Sequence, residues 1–429
     1  MRCADPACGA EVPGAGENLA CPVCAGLLEV EYRFPDPEAA GWPELWRGRM
    51  GSGACQDRSG VWRFRDLLPF LPPSANPVTL GEGRAPLIPL DRAAAWAGLE
   101  RVTAQHLGCN PTGSFKDLGM TACISQARVQ GAAVVACAST GNTSASMAAY
   151  AARAGLEAVL FVPRSAVSSA KLAQALDFGA RLVEVGTNFD QALAVLRRAA
   201  TALGWYLVNS VNPYRLEGQK TAVVELLEDR QWQVPDLVLV PGGNLGNVSA
   251  LAKGLRDLER NGLIGRVPRL VVVQAQGADP FFRMWRSGSD RLRAIPEPST
   301  RASAIRIGNP ASWARARRAL AWSEGTCLSV SDQEIAAAKA ALAADGVGCE
   351  PASATTLAGL RQLRNSGGLA EAADAVAILT GHQLKDVEYI LEEGPTGPRA
   401  PTLHLEPDAP LKQILAQLQG WAGAWPTRG

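Results

Sequence analysis

Short apolar runs alternate with longer amphipathic stretches along most of this chain. The pattern predicts strands over residues 101–107, 133–138, 157–162, 181–185 and 205–208, interleaved with helices over 117–130, 142–154, 168–178 and 188–203. Further strands follow at 237–240 and 270–274, the first of them leading into a helix over 248–259. Within each strand the apolar residues are consecutive and not alternate, as expected when helices cover both faces of a parallel sheet. The predicted fold class is therefore α/β, built from doubly wound open sheets. Ser331 and Glu334 read as a capping box opening an Ala-rich helix, which gives both a structural use.

Length adds a division. A chain of 429 residues exceeds what one hydrophobic core usually holds, so two open-sheet lobes and small additions are expected. We read residues 1–34 as a four-cysteine, zinc-ribbon-like segment and 35–77 as a linking arm with Trp42, Trp46 and Trp62 as packing anchors. Residues 78–429 form the main body, with a smaller lobe at about 118–212. The net charge of +1 leaves no electrostatic footprint for nucleic acid or an anionic membrane surface. A basic leader and an apolar span of membrane length are both lacking, so a cytoplasmic protein without membrane partners is expected.

In the first segment, Cys21 and Cys24 have the C-x2-C spacing of a metal knuckle, whereas Cys3 and Cys8 are separated by the wider C-x4-C. Two readings stand: structural zinc held by Cys3, Cys8, Cys21 and Cys24, or four free thiols. Four thiolates would close a zinc site and leave no open catalytic position. Cys109, Cys123, Cys137, Cys327 and Cys349 lie among apolar or small residues and read as reduced, buried thiols.

Three stretches carry chemistry. Asn110-Pro111-Thr112-Gly113-Ser114-Phe115-Lys116-Asp117 follows the strand at 101–107, and its turn places Lys116 where a helix begins. A desolvated lysine near positive potential spends time unprotonated and can form a Schiff base with an aldehyde, whereas an exposed one at a helix start would be inert. Ser139-Thr140-Gly141-Asn142-Thr143-Ser144 follows the next strand with more polar and glycine positions than one helix cap requires. Pro241-Gly242-Gly243-Asn244-Leu245-Gly246-Asn247 joins a strand to a helix, where glycines admit a phosphate close to the backbone. It lacks the G-x-G-x-x-G spacing of a dinucleotide site, which favours a mononucleotide-sized phosphate. Schiff-base lysine, polar loop and phosphate cradle together match the needs of pyridoxal 5′-phosphate (PLP).

These stretches, with Thr380-Gly381-His382, resemble the motifs of fold-type II PLP enzymes of the tryptophan synthase β family, and among them the threonine synthase family. The segments 209–220, 304–310 and 350–354 narrow the resemblance, which covers roughly residues 78–390. It implies that Lys116 carries PLP, that Asn142 meets its phenolic oxygen, that Gly242, Gly243, Asn244, Leu245, Gly246 and Asn247 hold its phosphate, and that Thr380 faces the pyridine nitrogen. It further implies that Ser139, Thr140 and Asn142 take a substrate carboxylate, while Asn209, Ser210 and Arg215 bind the leaving phosphate of O-phospho-L-homoserine. The implied reaction is a β,γ-replacement giving L-threonine and phosphate, by a homodimer.

Leu118 and Gln383 depart from the family pattern, which commonly has Arg and Gly there. Without the resemblance, Arg215 reads as half of a helix-surface ion pair with Glu217 or a neighbour. His106 and His404 read as structural. The competing functions are a threonine or serine dehydratase or a cysteate synthase-like lyase of the same fold, and a non-enzymatic zinc-ribbon scaffold.

Overall fold

The computed structural model describes all residues except 6, 14–18, 33, 35–40, 165–169, 187–188, 394–402, 404, 407–408 and 424–429, and it leaves out the side chains of 170–171, 189–190, 392–393 and 421–423. His404 therefore lies outside the described residues. The strands are β1 (Arg2–Cys3), β2 (Leu28–Glu29), β3 (Leu87–Pro89), β4 (Arg101–His106), β5 (Val134–Ala138), β6 (Glu157–Val162), β7 (Arg181–Glu184), β8 (Tyr206–Leu207), β9 (Leu237–Pro241), β10 (Arg269–Ala275), β11 (Thr326–Val330) and β12 (Asp374–Leu379). They form a six-stranded sheet in the order β11-β10-β9-β12-β4-β3, a four-stranded sheet in the order β7-β6-β5-β8, and a two-stranded ribbon of β1 and β2. The four-stranded sheet is wholly parallel, and in the six-stranded sheet only β3 runs antiparallel.

The consecutive apolar residues do what the pattern predicts. Val238, Leu239 and Val240 of β9 and Val271, Val272 and Val273 of β10 are fully buried, because helices lie on both faces of the sheet. One face packs against the helices Pro213–Asp229 and Gly246–Arg260, the other against Asp332–Ala344 and Pro351–Asn365. The capping box forms: Ser331 Oγ accepts from Glu334 N, and the Glu334 carboxylate accepts from Ser331 N.

The arm joins the first core. Trp46 and Trp62 are buried there, and Trp62 Nε1 donates to Thr121 Oγ1 at 2.7 Å. Helix Lys116–Val129 packs on helix Pro213–Asp229 at glycines, since a Cβ at Gly218 would stand 1.8 Å from Leu118 O. Leu118 itself is buried in that core, so this departure from the family pattern fills an apolar site. Gln383 is exposed and begins a 3-10 turn, Gln383–Asp386. None of the ten cysteines forms a disulfide; Cys123, Cys137, Cys327 and Cys349 are buried as expected, whereas Cys109 is exposed, because it ends the 3-10 turn Leu107–Cys109 whose buried residues are Leu107 and Gly108. Among the described residues no helix is long and apolar enough to cross a membrane.

Candidate active site

The loops described next leave the carboxyl ends of β4, β5, β9 and β12, where ligands of open α/β sheets collect. After β4, Asp117 closes the 110–117 turn by accepting from Thr112 N at 2.7 Å, Thr112 Oγ1 at 2.6 Å and Ser146 Oγ at 2.5 Å. Burial nonetheless pushes its carboxyl up to about 6. Asn110 accepts from Gly83 N at 2.8 Å, while Phe115 N donates to Thr380 O at 2.9 Å and His382 N to Gly113 O at 2.9 Å. The turn is thus bolted to the end of β12.

That framework sets Lys116 at the first residue of its helix, half-buried, with the ammonium 4.1 Å from the centre of the Phe115 ring. Burial, reinforced by the Arg215 guanidinium and opposed by Glu350, lowers the Lys116 amine to about 7. Near neutral pH a substantial fraction of this amine is unprotonated, which an exposed lysine cannot offer.

Glu350 is a site residue that sequence reasoning missed. In the sequence it stands only as the first residue of the motif 350–354, directly before the proline that opens helix Pro351–Asn365, and no local pattern marks its role. Its buried carboxylate accepts from Asn142 Nδ2 at 3.0 Å and from Thr380 Oγ1 at 3.2 Å. Burial raises its pKa, against the pull of Asn142, Thr380, Lys116 and Lys385. Ser353 Oγ accepts from Thr380 N at 2.8 Å and lies 3.2 Å from Thr380 Oγ1. Asn142 and Thr380, which come from different sheets, therefore meet on one carboxylate.

Ser139 and Thr140 are half-buried at the mouth of the same loop, with Ser139 Oγ accepting from Gly141 N at 3.2 Å. Asn209 exchanges two bonds with Ala138, through Oδ1 at 3.1 Å and Nδ2 at 3.0 Å, and so fixes the strand end from which Ser139 departs. Ser210 accepts from Asn244 Nδ2. Arg215 differs from the surface ion pair suggested by sequence alone: it is buried, donates to Val208 O at 3.2 Å, and has no hydrogen-bond partner for Nε among the described residues. Glu217 instead pairs with Lys220 and Lys253.

After β9, Gly242 N donates to Val273 O at 2.7 Å. A Cβ on Gly242 would stand 2.6 Å from Val272 Cγ1, and one on Gly243 would stand 3.2 Å from Ile305 Cγ2. Asn244 accepts from Ala311 N at 2.6 Å, so the 304–310 motif leads into the loop's outer support. Leu245 has φ of 63°, a left-handed conformation unusual for a branched residue. It turns the chain into helix Gly246–Arg260, whose N-terminus has no side-chain cap. Just inside, Asn247 is buried and neither polar atom of its amide has a partner among the described residues. Ser312 Oγ is likewise buried and unpartnered.

His106 and His382 serve the scaffold. His106 Nε2 meets Gly348 O at 2.9 Å and its Nδ1 accepts from Gly108 N, while His382 Nδ1 accepts from Leu384 N. Away from these loops, the sulfurs of Cys3, Cys8, Cys21 and Cys24 lie within 4.8 Å of one another, a grouping that could hold a metal ion.

A family model described as pyridoxal-phosphate dependent enzyme matches residues 78–381. The chain is 40% identical over 399 residues to a threonine synthase of Methanosarcina acetivorans, covering 92% of this chain and 95% of that one. It is 42% identical over 364 residues to a threonine synthase of Methanocaldococcus jannaschii, covering 85% and 88%. A threonine synthase of Synechocystis sp. is 43% identical over 374 residues, covering 86% and 93%. Among solved structures, maize serine racemase superposes with a TM-score of 0.59 at 21% identity, over 72% of this chain and 93% of that one, a likeness of fold. With that match and these relatives, the chain belongs to the pyridoxal-phosphate dependent enzymes, within the threonine synthase family.

Proposed function

We propose that this chain is a threonine synthase, converting O-phospho-L-homoserine and water to L-threonine and phosphate in amino-acid biosynthesis. We assign it to the cytoplasm as a homodimer, with residues 1–34 as a ribbon, 35–77 as an arm and 78–429 as the catalytic region containing a smaller lobe at about 118–212. The observation that carries the reading is the convergence of Lys116, Asn142 and Thr380 around Glu350.

The residues fit PLP. The orphaned Asn247 amide and the uncapped helix start at Gly246 are polar groups lacking partners, and Gly242 leaves no room for a side chain beside them. That combination suits the PLP phosphate at the loop Gly242, Gly243, Asn244, Leu245, Gly246 and Asn247, held mainly through backbone N–H groups other than that of Gly242, which donates to Val273 O and anchors the loop. Lys116 would hold the aldehyde carbon, Asn142 the phenolic oxygen and Thr380 the ring nitrogen. A neutral hydroxyl at that nitrogen leaves it largely unprotonated. When bound, PLP supplies an electron sink for the pair left behind as Cα loses its proton.

The protein's own groups do the rest. Lys116, released when the substrate amine takes its place, removes a proton from Cα and later moves one at Cβ, tasks suited to an amine near 7. Ser139, Thr140 and Asn142 hold the α-carboxylate at the start of helix Asn142–Ala154. Arg215, with an unpartnered buried Nε, and Ser210 bind the phosphate that departs from Cγ. Asn209 supports this site by fixing Ala138. A proton is then delivered to Cγ, which becomes the methyl group, water adds its oxygen at Cβ, and a proton returns to Cα, so that two protons leave and two come back while water supplies the hydroxyl.

The test is phosphate release from O-phospho-L-homoserine with the product identified. Equal amounts of threonine and phosphate support the assignment; 2-oxobutyrate formed from threonine without phosphate chemistry identifies a dehydratase, and a colourless, inactive protein identifies a scaffold.

A further inference from the structure

Among the described residues of the first 34, the segment's own buried apolar cluster is small. It contains Cys3, Cys21 and Leu28, and two of these three are themselves thiols. What sits at the centre is sulfur. Cys3 Sγ lies 3.4 Å from Cys24 Sγ and Cys8 Sγ 3.7 Å from Cys21 Sγ, with all four sulfurs within 4.8 Å. Four sulfurs around one zinc ion at about 2.3 Å stand about 3.8 Å apart. The wide C-x4-C spacing is accommodated because Cys8 N and Gly9 N both turn back onto Asp5 O, and Ala7 N donates to Asp5 Oδ1. Neither pair forms a disulfide.

The ribbon is clamped to the body at one strand and its continuation. Arg315 donates to Glu29 Oε1 at 2.9 Å and to Leu28 O at 2.6 Å; Arg318 reaches Glu29 Oε1 at 2.8 Å and also Ala4 O. Lys253 donates to Val30 O and pairs with Glu217, while Lys220 and Lys253 lie over the Tyr32 ring at 4.8 and 5.2 Å. Lys220 stands on helix Pro213–Asp229, whereas the groups that hold the ribbon's backbone and Glu29 stand on two helices, Lys253 on Gly246–Arg260 and Arg315 and Arg318 on Trp313–Trp322. Both helices begin at the phosphate loop: the first directly after Leu245, the second beside Asn244, which accepts from Ala311 N and Ser312 N.

We propose that Cys3, Cys8, Cys21 and Cys24 bind one structural zinc ion, and that the metal-filled ribbon braces the two helices that frame the Gly242–Asn247 loop. The metal orders β2, and β2 restrains the side chains of Arg315, Arg318 and Lys253. Loss of the metal frees them and loosens the loop's grip on a phosphate. The second half rests on the reading of that loop as the PLP phosphate site.

The test uses the full-length, PLP-loaded protein. Metal analysis is expected to return one zinc per chain, and exchange with cobalt is expected to give the intense visible bands of a tetrahedral thiolate site. The Cys21→Ser/Cys24→Ser double variant is expected to lose the metal, and to release PLP on dialysis about tenfold faster, within the usual range of coupling between sites. Arg315→Ala/Arg318→Ala is expected to keep the metal yet release PLP faster, which separates the brace from the ion. Absence of stoichiometric zinc together with octahedral or no cobalt bands overturns the metal site. Zinc at one per chain with unchanged PLP release in both double variants overturns the brace. Should the cysteine variant fail to fold, the wild-type cobalt spectrum and the arginine variant decide the two halves. A wild-type protein that never takes up PLP defeats the enzymatic reading and with it the brace, but leaves the cobalt spectrum to decide the metal.

Discussion

Glu350 accepts a hydrogen bond from Asn142 at 3.0 Å, and this contact joins a loop of the four-stranded sheet to the helix that follows the six-stranded sheet's β11 and Asp332–Ala344. The same carboxylate takes the Thr380 hydroxyl at 3.2 Å. Glu350→Ala removes the acceptor that Asn142 Nδ2 and Thr380 Oγ1 share, leaving Thr380 with Ser353 alone, a loss of about 1–3 kcal/mol. Turnover is expected to fall by about tenfold to a hundredfold. A full steady-state analysis checks this; unchanged kcat would show that Asn142 and Thr380 hold position alone.

Lys116 sets a pH dependence. Its amine is lowered to about 7, chiefly by burial and then by Arg215. Capture of an aldehyde needs the unprotonated form, so the rate at which apoenzyme takes up PLP should rise with pH and level off once pH passes about 7. Glu350 raises the Lys116 pKa, so Glu350→Gln should move that plateau to lower pH. Stopped-flow absorbance across pH reads both. A rate still climbing toward the ordinary lysine range would contradict the burial argument.

Much of this could be read from residue order. The β9 and β10 runs are apolar at every position because both faces are covered, and that pattern survives without knowledge of the partners. The loops at 110–117 and 242–247 carry turn residues and glycines at fixed places, so their chemistry was local and legible. Glu350 was not, because its meaning lies in contacts with Asn142 and Thr380 far away in sequence. Arg215 was ambiguous for a related reason: one helix turn cannot show that Glu217 is already occupied by Lys220 and Lys253. The short strands also escaped. The predicted strand at 205–208 shrinks to Tyr206–Leu207, since it sits on the sheet edge and pairs only with β5.

Gly242 tests the cradle. A methyl group there would stand 2.6 Å from Val272 Cγ1 and 2.8 Å from Gln274 Cγ, both on the neighbouring strand. Gly242→Ala must push the loop outward, with a cost of about 1–3 kcal/mol. The displaced N–H groups should weaken PLP retention by about tenfold or more while far-ultraviolet circular dichroism stays unchanged. Equilibrium dialysis measures the affinity, and wild-type retention would remove Gly242 from the phosphate site.

Arg215 tests substrate recognition. Its unpartnered Nε lies in a buried site, and a guanidinium binds phosphate through paired donors that lysine cannot reproduce. Arg215→Lys should raise KM for O-phospho-L-homoserine by about tenfold to a hundredfold, in line with a lost charged hydrogen bond. Binding of an unphosphorylated amino acid, followed by the visible spectrum of the loaded enzyme, should change little. Equal weakening toward both ligands would mean that Arg215 serves the Lys116 environment and not the phosphate.

Trp62 tests whether the arm contributes to the stability of the body. Its Nε1 donates to Thr121 Oγ1 at 2.7 Å, and Thr121 Oγ1 in turn donates its one proton to Val78 O at 2.5 Å. The hydroxyl is therefore satisfied on both sides, in a place where Trp62 is only 1% exposed and water cannot substitute. Trp62→Phe removes the donor and part of the ring, which leaves an acceptor unpaired and a small void. The first effect costs about 1 kcal/mol or slightly more, and the void adds to it. For a chain of this size each kcal/mol lowers the melting temperature by about 1–2 °C. Scanning calorimetry of the loaded enzyme should show a drop of that order or larger, with PLP affinity and turnover at low temperature preserved. An unchanged melting temperature would mean that the arm folds against the body without contributing to its stability.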